Sequence, residues 1–363
     1  MPFRLHRRVD AARVPGGGGA SPRAVLLIIT VTLAVSVPLS FAGVPSPVLF
    51  GSLVGGMAYA LGGSAELTVP RWLTTLGQGL LGVVIGTSVS YPALRSMGGD
   101  TPAILAVTLG TVAISLGAGR VLAMRRDVSQ VTGAFAMIAG GASGVVAVAR
   151  DLGADDRVVT VAQYLRVFVV VVTMPLVASL VFRPALGAGT LAVTSARLGP
   201  SLLYVAASLG LGLLAARVLP FPTSTLLAPL AVASVIVGAG WLGPVDVPVP
   251  LQWFAYAVIG VQVGLRFTRA SLRSIARMLP AIFAIIMGMI VASAAMGAVL
   301  AVVTPVDGLT AYLATTPGGL FAVLATAADS GSDVTYVTAV QVVRLLVVLV
   351  CTPLLAKVLA RRG

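Results

Sequence analysis

Two arginines stand in apolar runs of the chain where a membrane span would ordinarily hold no charge. Arg166 and Arg344 each lie about ten residues into such a run, roughly 15 Å deep at 1.5 Å per residue. A glutamine precedes each by three positions, Gln163 and Gln341, so amide and guanidinium share one helical face. A guanidinium presents a planar fork of donors that matches a carboxylate or a similar anion. A charge at that depth faces the interior of a bundle or a water-filled path. Two roles fit these residues together: recognition of an anion, and a clamp on backbone carbonyls or an aspartate.

Ahead of each Gln-x-x-Arg run stands a glycine pair, Gly140-Gly141 and Gly318-Gly319. Ala142-Ser143-Gly144 follows the first, and Thr315-Thr316-Pro317 precedes the second. Pro317 disfavours a continuous helix and pushes Thr316 toward an extended conformation. Both pairs therefore read as tips of hairpins inside a membrane. Unwound backbone at that depth has to line protein or water. Such tips expose N–H groups and short hydroxyls for an anion at a half-helix N-terminus, or carbonyls for a cation. The expected substrate-binding set is Gly140, Gly141, Ser143, Gly144, Gln163, Arg166, Thr315, Thr316, Pro317, Gly318, Gly319, Gln341 and Arg344. Asp155 and Asp333 immediately precede helical runs and read as N-caps. Asp151 and Asp329 have no such role, and pair with arginine or belong to an ion path. No strongly acidic residue marks the centre of a span, so the coupling ion stays open.

The elements that position these residues are long apolar blocks. The 363 residues are 58% hydrophobic and 10% charged, which places the chain among polytopic membrane proteins. A span needs about 20 apolar residues, and roughly a dozen blocks can be marked from 24–42 to 334–358. A barrel is excluded by the lack of period-2 alternation. Residues 82–181 align without a gap on 260–359, with 37 identical pairs at an offset of 178. The chain is thus two copies of one unit. The expected organisation is a basic arm at 1–23, a first membrane repeat at 24–190 and a second at 191–363.

Orientation follows from the 24 Lys and Arg residues. With twelve crossings and a cytoplasmic N-terminus, 14 fall inside, 8 outside and 2 in the spans. If the fifth block of each copy enters and leaves by one face, the distribution becomes 19 inside, 3 outside and 2 in the spans. The second arrangement obeys the positive-inside rule better and leaves an odd number of crossings per copy. The expected fold is therefore an all-α polytopic membrane protein of two inverted repeats. Each repeat has about five transmembrane helices plus one glycine-tipped re-entrant or broken helix, an architecture recurrent in secondary transporters. Both termini are expected in the cytoplasm.

Several functions are excluded by what the chain holds. One histidine, His6, and one cysteine, Cys351, provide no metal cluster and no disulfide framework. No cofactor is expected, and neither is catalysis. The net charge of +13 sits in the tail and in short loops, so nucleic acid is not an expected partner. The expected partners are the lipid bilayer and a small solute.

At these motifs the chain resembles the AbrB-duplication family of bacterial membrane proteins, which carry a glycine-pair turn, a Gly-Ala-Asp-type segment and a Gln-x-x-Arg span in each half. Here they stand as Ala139-Gly140-Gly141, Gly153-Ala154-Asp155 and Gln163–Arg166, then as Pro317-Gly318-Gly319, Gly331-Ser332-Asp333 and Gln341–Arg344. The resemblance covers about residues 24–360. It implies a multi-pass protein of the bacterial cytoplasmic (inner) membrane. Family labels speak of AbrB family transcriptional regulators or of an ammonia monooxygenase. The residues favour neither, because a monooxygenase needs clustered metal ligands and a DNA-binding regulator needs a soluble reading head. The inverted halves are also similar to elevator-type carriers, an analogy of fold that implies a homodimer. The function expected first is secondary transport of a small anionic or zwitterionic solute, such as an organic acid or amino acid. The alternatives are a membrane-embedded regulator acting through a partner and a membrane oxidase, the latter disfavoured for want of ligands.

Overall fold

The computed structural model describes residues 21–62, 67–89, 91–138, 149–150, 152–182, 197–219 and 223–360. The regular elements among them are helical, as the apolar blocks require: a chain in lipid must satisfy its backbone groups within each segment. In chain order they are α1 (Pro22–Phe41), α2 (Pro47–Gly62), α3 (Arg71–Ser88), α4 (Tyr91–Ser96), α5 (Thr101–Leu122), α6 (Gln130–Met137), α7 (Asp156–Val177), α8 (Leu198–Ala216), α9 (Ser224–Ala239), α10 (Val249–Gly264), α11 (Arg269–Ser274), α12 (Leu279–Val303), α13 (Gly308–Thr315), α14 (Leu320–Asp329) and α15 (Val334–Ala360).

Among the described residues, six helices are long and apolar enough to cross a membrane: Pro22–Phe41, Tyr91–Leu122, Asp156–Phe182, Leu198–Ala216, Leu279–Val303 and Val334–Cys351. The chain is thus an all-helical membrane protein. The blocks at 46–63, 223–242 and 249–267 form helices of only 16 residues, α2, α9 and α10. At 1.5 Å per residue each is about 24 Å long, short of a ~30 Å hydrocarbon core. Close helix packing explains how short helices are held. A Cβ on Gly82 of α3 would meet the Leu226 carbonyl of α9, and one on Gly260 of α10 would meet the Leu49 carbonyl of α2. Small residues permit such backbone approach where lipid supplies no hydrophobic drive between helices.

The helices sort into two bundles. α1, α2, α3, α8, α9 and α10 pack chiefly on one another, and α5, α6, α7, α12, α13 and α15 form the second group. Each bundle draws helices from both halves of the chain. α14 lies at the seam, touching α3 on one side and α7 and α15 on the other.

Candidate functional site

The second glycine pair makes a tight reversal. α13 ends at Thr315, and Thr316 takes φ −56°, ψ 127°, the extended form expected of a residue before proline. Gly318 and Gly319 then adopt φ +118° and +69°, values that side chains rarely tolerate, and α14 begins at Leu320. The start of α13 is tied to the start of α15 by the Asp333 N–H, which donates to Thr310 Oγ1 at 2.9 Å. The links from Asp329 to Asp333 reach no further than about 14 Å. Had α14 continued in the direction of α13, Asp329 would lie about 30 Å from Thr310. The chain therefore turns back at the glycines, and the segment is a helical hairpin rather than one interrupted straight helix.

The Gln-x-x-Arg motif on α15 holds this hairpin. The last carbonyls of a helix have no partner within it. Gln341 Nε2 donates to the Leu313 and Ala314 carbonyls at 2.9 and 3.1 Å. Arg344 Nη1 donates to the Thr316 carbonyl, and its Nη2 donates to Gln341 Oε1 at 2.6 Å. Ten residues separate Arg344 from the start of α15, which places the tip about 15 Å along that helix.

An equivalent set of bonds lies 178 residues earlier. The Asp155 N–H donates to Thr132 Oγ1 at 3.0 Å, so α6 and α7 also start side by side. Gln163 Nε2 donates to the Phe135 carbonyl at 2.9 Å, and Arg166 Nη1 to the Met137 carbonyl at 2.9 Å. The tip of this first segment, with Gly140, Gly141, Ser143 and Gly144, lies outside the described residues, as does Asp151.

The mouths of the two segments lie at opposite ends of the helices. At one end Asp329, closing α14, accepts hydrogen bonds from Ser46 Oγ at 2.7 Å, Gln252 Nε2 at 3.0 Å and Tyr256 OH at 3.0 Å. Ser46 precedes α2 and Gln252 lies in the first turn of α10. At the far ends of the same two helices, Tyr59 and Gln262 line a cavity of ≈ 950 Å³, together with Thr160 and Tyr164 from the start of α7. Since α7 starts beside α6, the first mouth lies at the cavity end and the second at the Asp329 end.

Arg166 reaches across from the first segment to the second tip. A Cβ on Gly318 would stand 2.9 Å from Arg166 Nε, and one on Gly319 would touch Val171 and Val167 of the same helix. Arg166 and Arg344 are 4% and 5% exposed. Neither meets a carboxylate among the described residues. Arg166 Nε, moreover, is buried with no acceptor among them. A buried donor left unpaired costs about 1–3 kcal/mol, more for a charged group. Two cations, one of them with an orphan donor, and the N-terminus of α14 thus converge beside Gly318-Gly319, and that arrangement favours an anion.

The remaining expected residues divide. Asp155 caps α7, its Oδ1 accepting from the Arg157 and Val158 N–H groups at 3.0 and 3.3 Å. Asp333 Oδ1 accepts from the Tyr336 N–H at 3.0 Å in the same role. Thr315 and Thr316 turn their hydroxyls back onto their own helix, donating to the Ala311 and Tyr312 carbonyls. Their O–H donors are thereby consumed away from the tip. Pro317 stands at the reversal itself. Asp329 pairs with no arginine among the described residues; three neutral donors hold it across the seam between bundles. Those donors, Ser46, Gln252 and Tyr256, escape notice in the sequence. The spacing of Gln252 and Tyr256, four apart in an apolar helix, is the signal that marks them.

Comparison with known proteins finds matches over nearly the whole chain. A family model described as "Transition state regulatory protein AbrB" matches residues 10–360. A protein of Escherichia coli strain K12 named "Putative regulator AbrB" is 31% identical over 336 residues, covering 91% of this chain and 95% of that protein. The protein YhjN of Bacillus subtilis strain 168 is 26% identical over 353 residues, covering 90% of this chain and 91% of its own. A family match over residues 10–360, with a relative 31% identical over 91% of the chain, makes this chain a member of the AbrB family.

Proposed function

We propose that the chain is a secondary transporter of a small anionic or zwitterionic solute, an organic acid or an amino acid. The observation that carries the reading is Arg166 Nε, a buried charged donor without an acceptor among the described residues, lying against the backbone of Gly318. A carboxylate at that point would accept from Arg166 and from the first N–H groups of α14, where the helix dipole also favours it. Gln163, Gln341 and Arg344 act as positioning residues, since their donors hold hairpin carbonyls. The two mouths at opposite ends support inverted repeats, and a midplane site between such repeats is the arrangement that alternating access uses. In this reading the seam between the bundles is where one moves against the other. The topology that best satisfies the positive-inside rule puts the cavity end in the cytoplasm.

The experiment has two stages. A thermal-shift screen of the purified protein against amino acids and organic acids identifies a solute that binds the native state. Uptake of that solute into proteoliposomes is then compared for the native chain, Arg166→Ala and Arg344→Ala. Arg166→Ala is expected to lose uptake through lost binding, by about 10-fold or more in apparent affinity for one charge-assisted bond. Full uptake by a folded Arg166→Ala protein would defeat the proposal.

A further inference from the structure

The cavity between the bundles carries a concentration of positive charge that the hairpin site does not use. Arg71 at the start of α3, and Arg266 and Arg269 around the end of α10, all line it, with Tyr59, Tyr164 and Gln262 among the other walls. None of the described lining residues is acidic. The ion pairs among the described residues, Arg125–Asp127 and Arg150–Asp156, lie elsewhere. Arg266 is held by the ring of Tyr164, with its Cζ 5.2 Å from the ring centroid. A cation–π contact of this kind fixes a guanidinium without neutralising it. Phe267, also in the wall, packs on Phe168 at 4.9 Å between centroids. A volume of ≈ 950 Å³ falls within the range of metabolite and cofactor pockets.

α7 separates this cavity from the hairpins. It turns Thr160 and Tyr164 toward the cavity, while Gln163 and Arg166 face the hairpin carbonyls. Because α7 belongs to one bundle and α2, α3 and α10 to the other, the cavity is bounded by both. Three guanidinium groups with no ion-pair partner among the described residues, set around a polar chamber, recognise phosphate or carboxylate. We infer that this cavity is a second binding site, selective for an anion bearing phosphate or carboxylate groups, with Arg71, Arg266 and Arg269 as its ligands. On the transporter reading, on which this clause alone rests, it is the cytoplasmic chamber where the solute is captured before α7 moves.

Such an anion could come from water or from a phospholipid headgroup, and the test separates them. The full-length protein is placed in nanodiscs of phosphatidylcholine and titrated calorimetrically with inorganic phosphate and with citrate. Lipids retained by detergent-purified protein are counted by native mass spectrometry after exposure to phosphatidylglycerol. Both measurements are repeated on Arg71→Gln/Arg266→Gln/Arg269→Gln, and on a charge-matched control, Arg23→Gln/Arg126→Gln/Arg217→Gln, whose three arginines are exposed elsewhere. The double variant Arg71→Gln/Arg269→Gln leaves the Arg266–Tyr164 contact intact and replaces the triple one if that fails to fold.

Loss of each arginine is expected to weaken binding about tenfold, with the control unchanged. If phosphate or citrate shows that loss, the ligand is an aqueous solute. If instead retained phosphatidylglycerol disappears from the cavity variants alone, it is a lipid headgroup. Equal binding by native and triple-variant proteins, or no anion binding in either arm, overturns the inference. None of these measurements requires transport, so the result stands apart from the uptake test of Arg166.

Discussion

Adding one methyl group to either glycine of the second hairpin tests the tip directly, because the two positions meet different surroundings. Gly319 has φ +69°, and a Cβ there would make only ordinary contacts, the nearest being Val171 at 3.5 Å. Placing alanine in a left-handed conformation costs about 1–2 kcal/mol. The reduced freedom of the unfolded chain offsets about 0.4–1 kcal/mol of that. Gly319→Ala is therefore expected to destabilise by about 1 kcal/mol. Gly318 has φ +118°, and its Cβ would stand 2.9 Å from Arg166 Nε, so the guanidinium has to shift. A shift strains the Nη1 bond to the Met137 carbonyl, and a charge-assisted bond contributes about 1.5–3 kcal/mol. With the backbone cost added, Gly318→Ala is expected to destabilise by about 2–4 kcal/mol. Equilibrium unfolding in mixed detergent micelles measures both, and uptake of the screened solute should fall further for Gly318→Ala. If Gly318→Ala proves no worse than Gly319→Ala, Arg166 does not lie under the tip and the assigned site fails with it.

Thr310→Val and Thr132→Val each remove the hydroxyl that accepts from Asp333 N–H or Asp155 N–H; each should cost about 1–2 kcal/mol and speed amide exchange at that residue. A double-mutant cycle of Asp329→Asn with Tyr256→Phe should yield a coupling of about 0.5–3 kcal/mol, and strict additivity would mean the two do not bond across the seam. Deleting residues 1–22 discriminates the regulator suggested by the relatives' names from a carrier: uptake is expected to persist, whereas a protein signalling through that arm would lose its cellular phenotype. Metal analysis of purified protein is expected to find no stoichiometric ion, and one bound per chain would revive the oxidase alternative.

The relation between the halves is legible because it is written twice. Identity at a fixed offset needs no coordinates, and neither does the oddity of Arg166 and Arg344 in apolar helices. Pro317 announces the break before Gly318, and Asp155 and Asp333 announce helix starts, since capping depends on neighbours three residues away. Charge counting favours a hairpin over a crossing for the fifth block, but it cannot decide how the block turns. That decision needed Thr310 Oγ1 beside the Asp333 N–H, a contact across 23 residues.

What sequence alone determined, then, is the membrane class, the duplication, the break at the second glycine pair and the two buried Gln-x-x-Arg faces. These are properties of local pattern and of repetition. Tertiary structure alone decided the partners. Thr315 and Thr316 bond back to their own helix because a buried hydroxyl takes the nearest carbonyl. Asp329 finds Ser46 283 residues away, across the seam between bundles. Arg166 bonds the Met137 carbonyl of α6 and also lies beside Gly318 of the second hairpin, because an intramembrane cation must face whatever polar backbone the fold brings to it. Spacing along the chain carries no record of which helices the bundle places side by side.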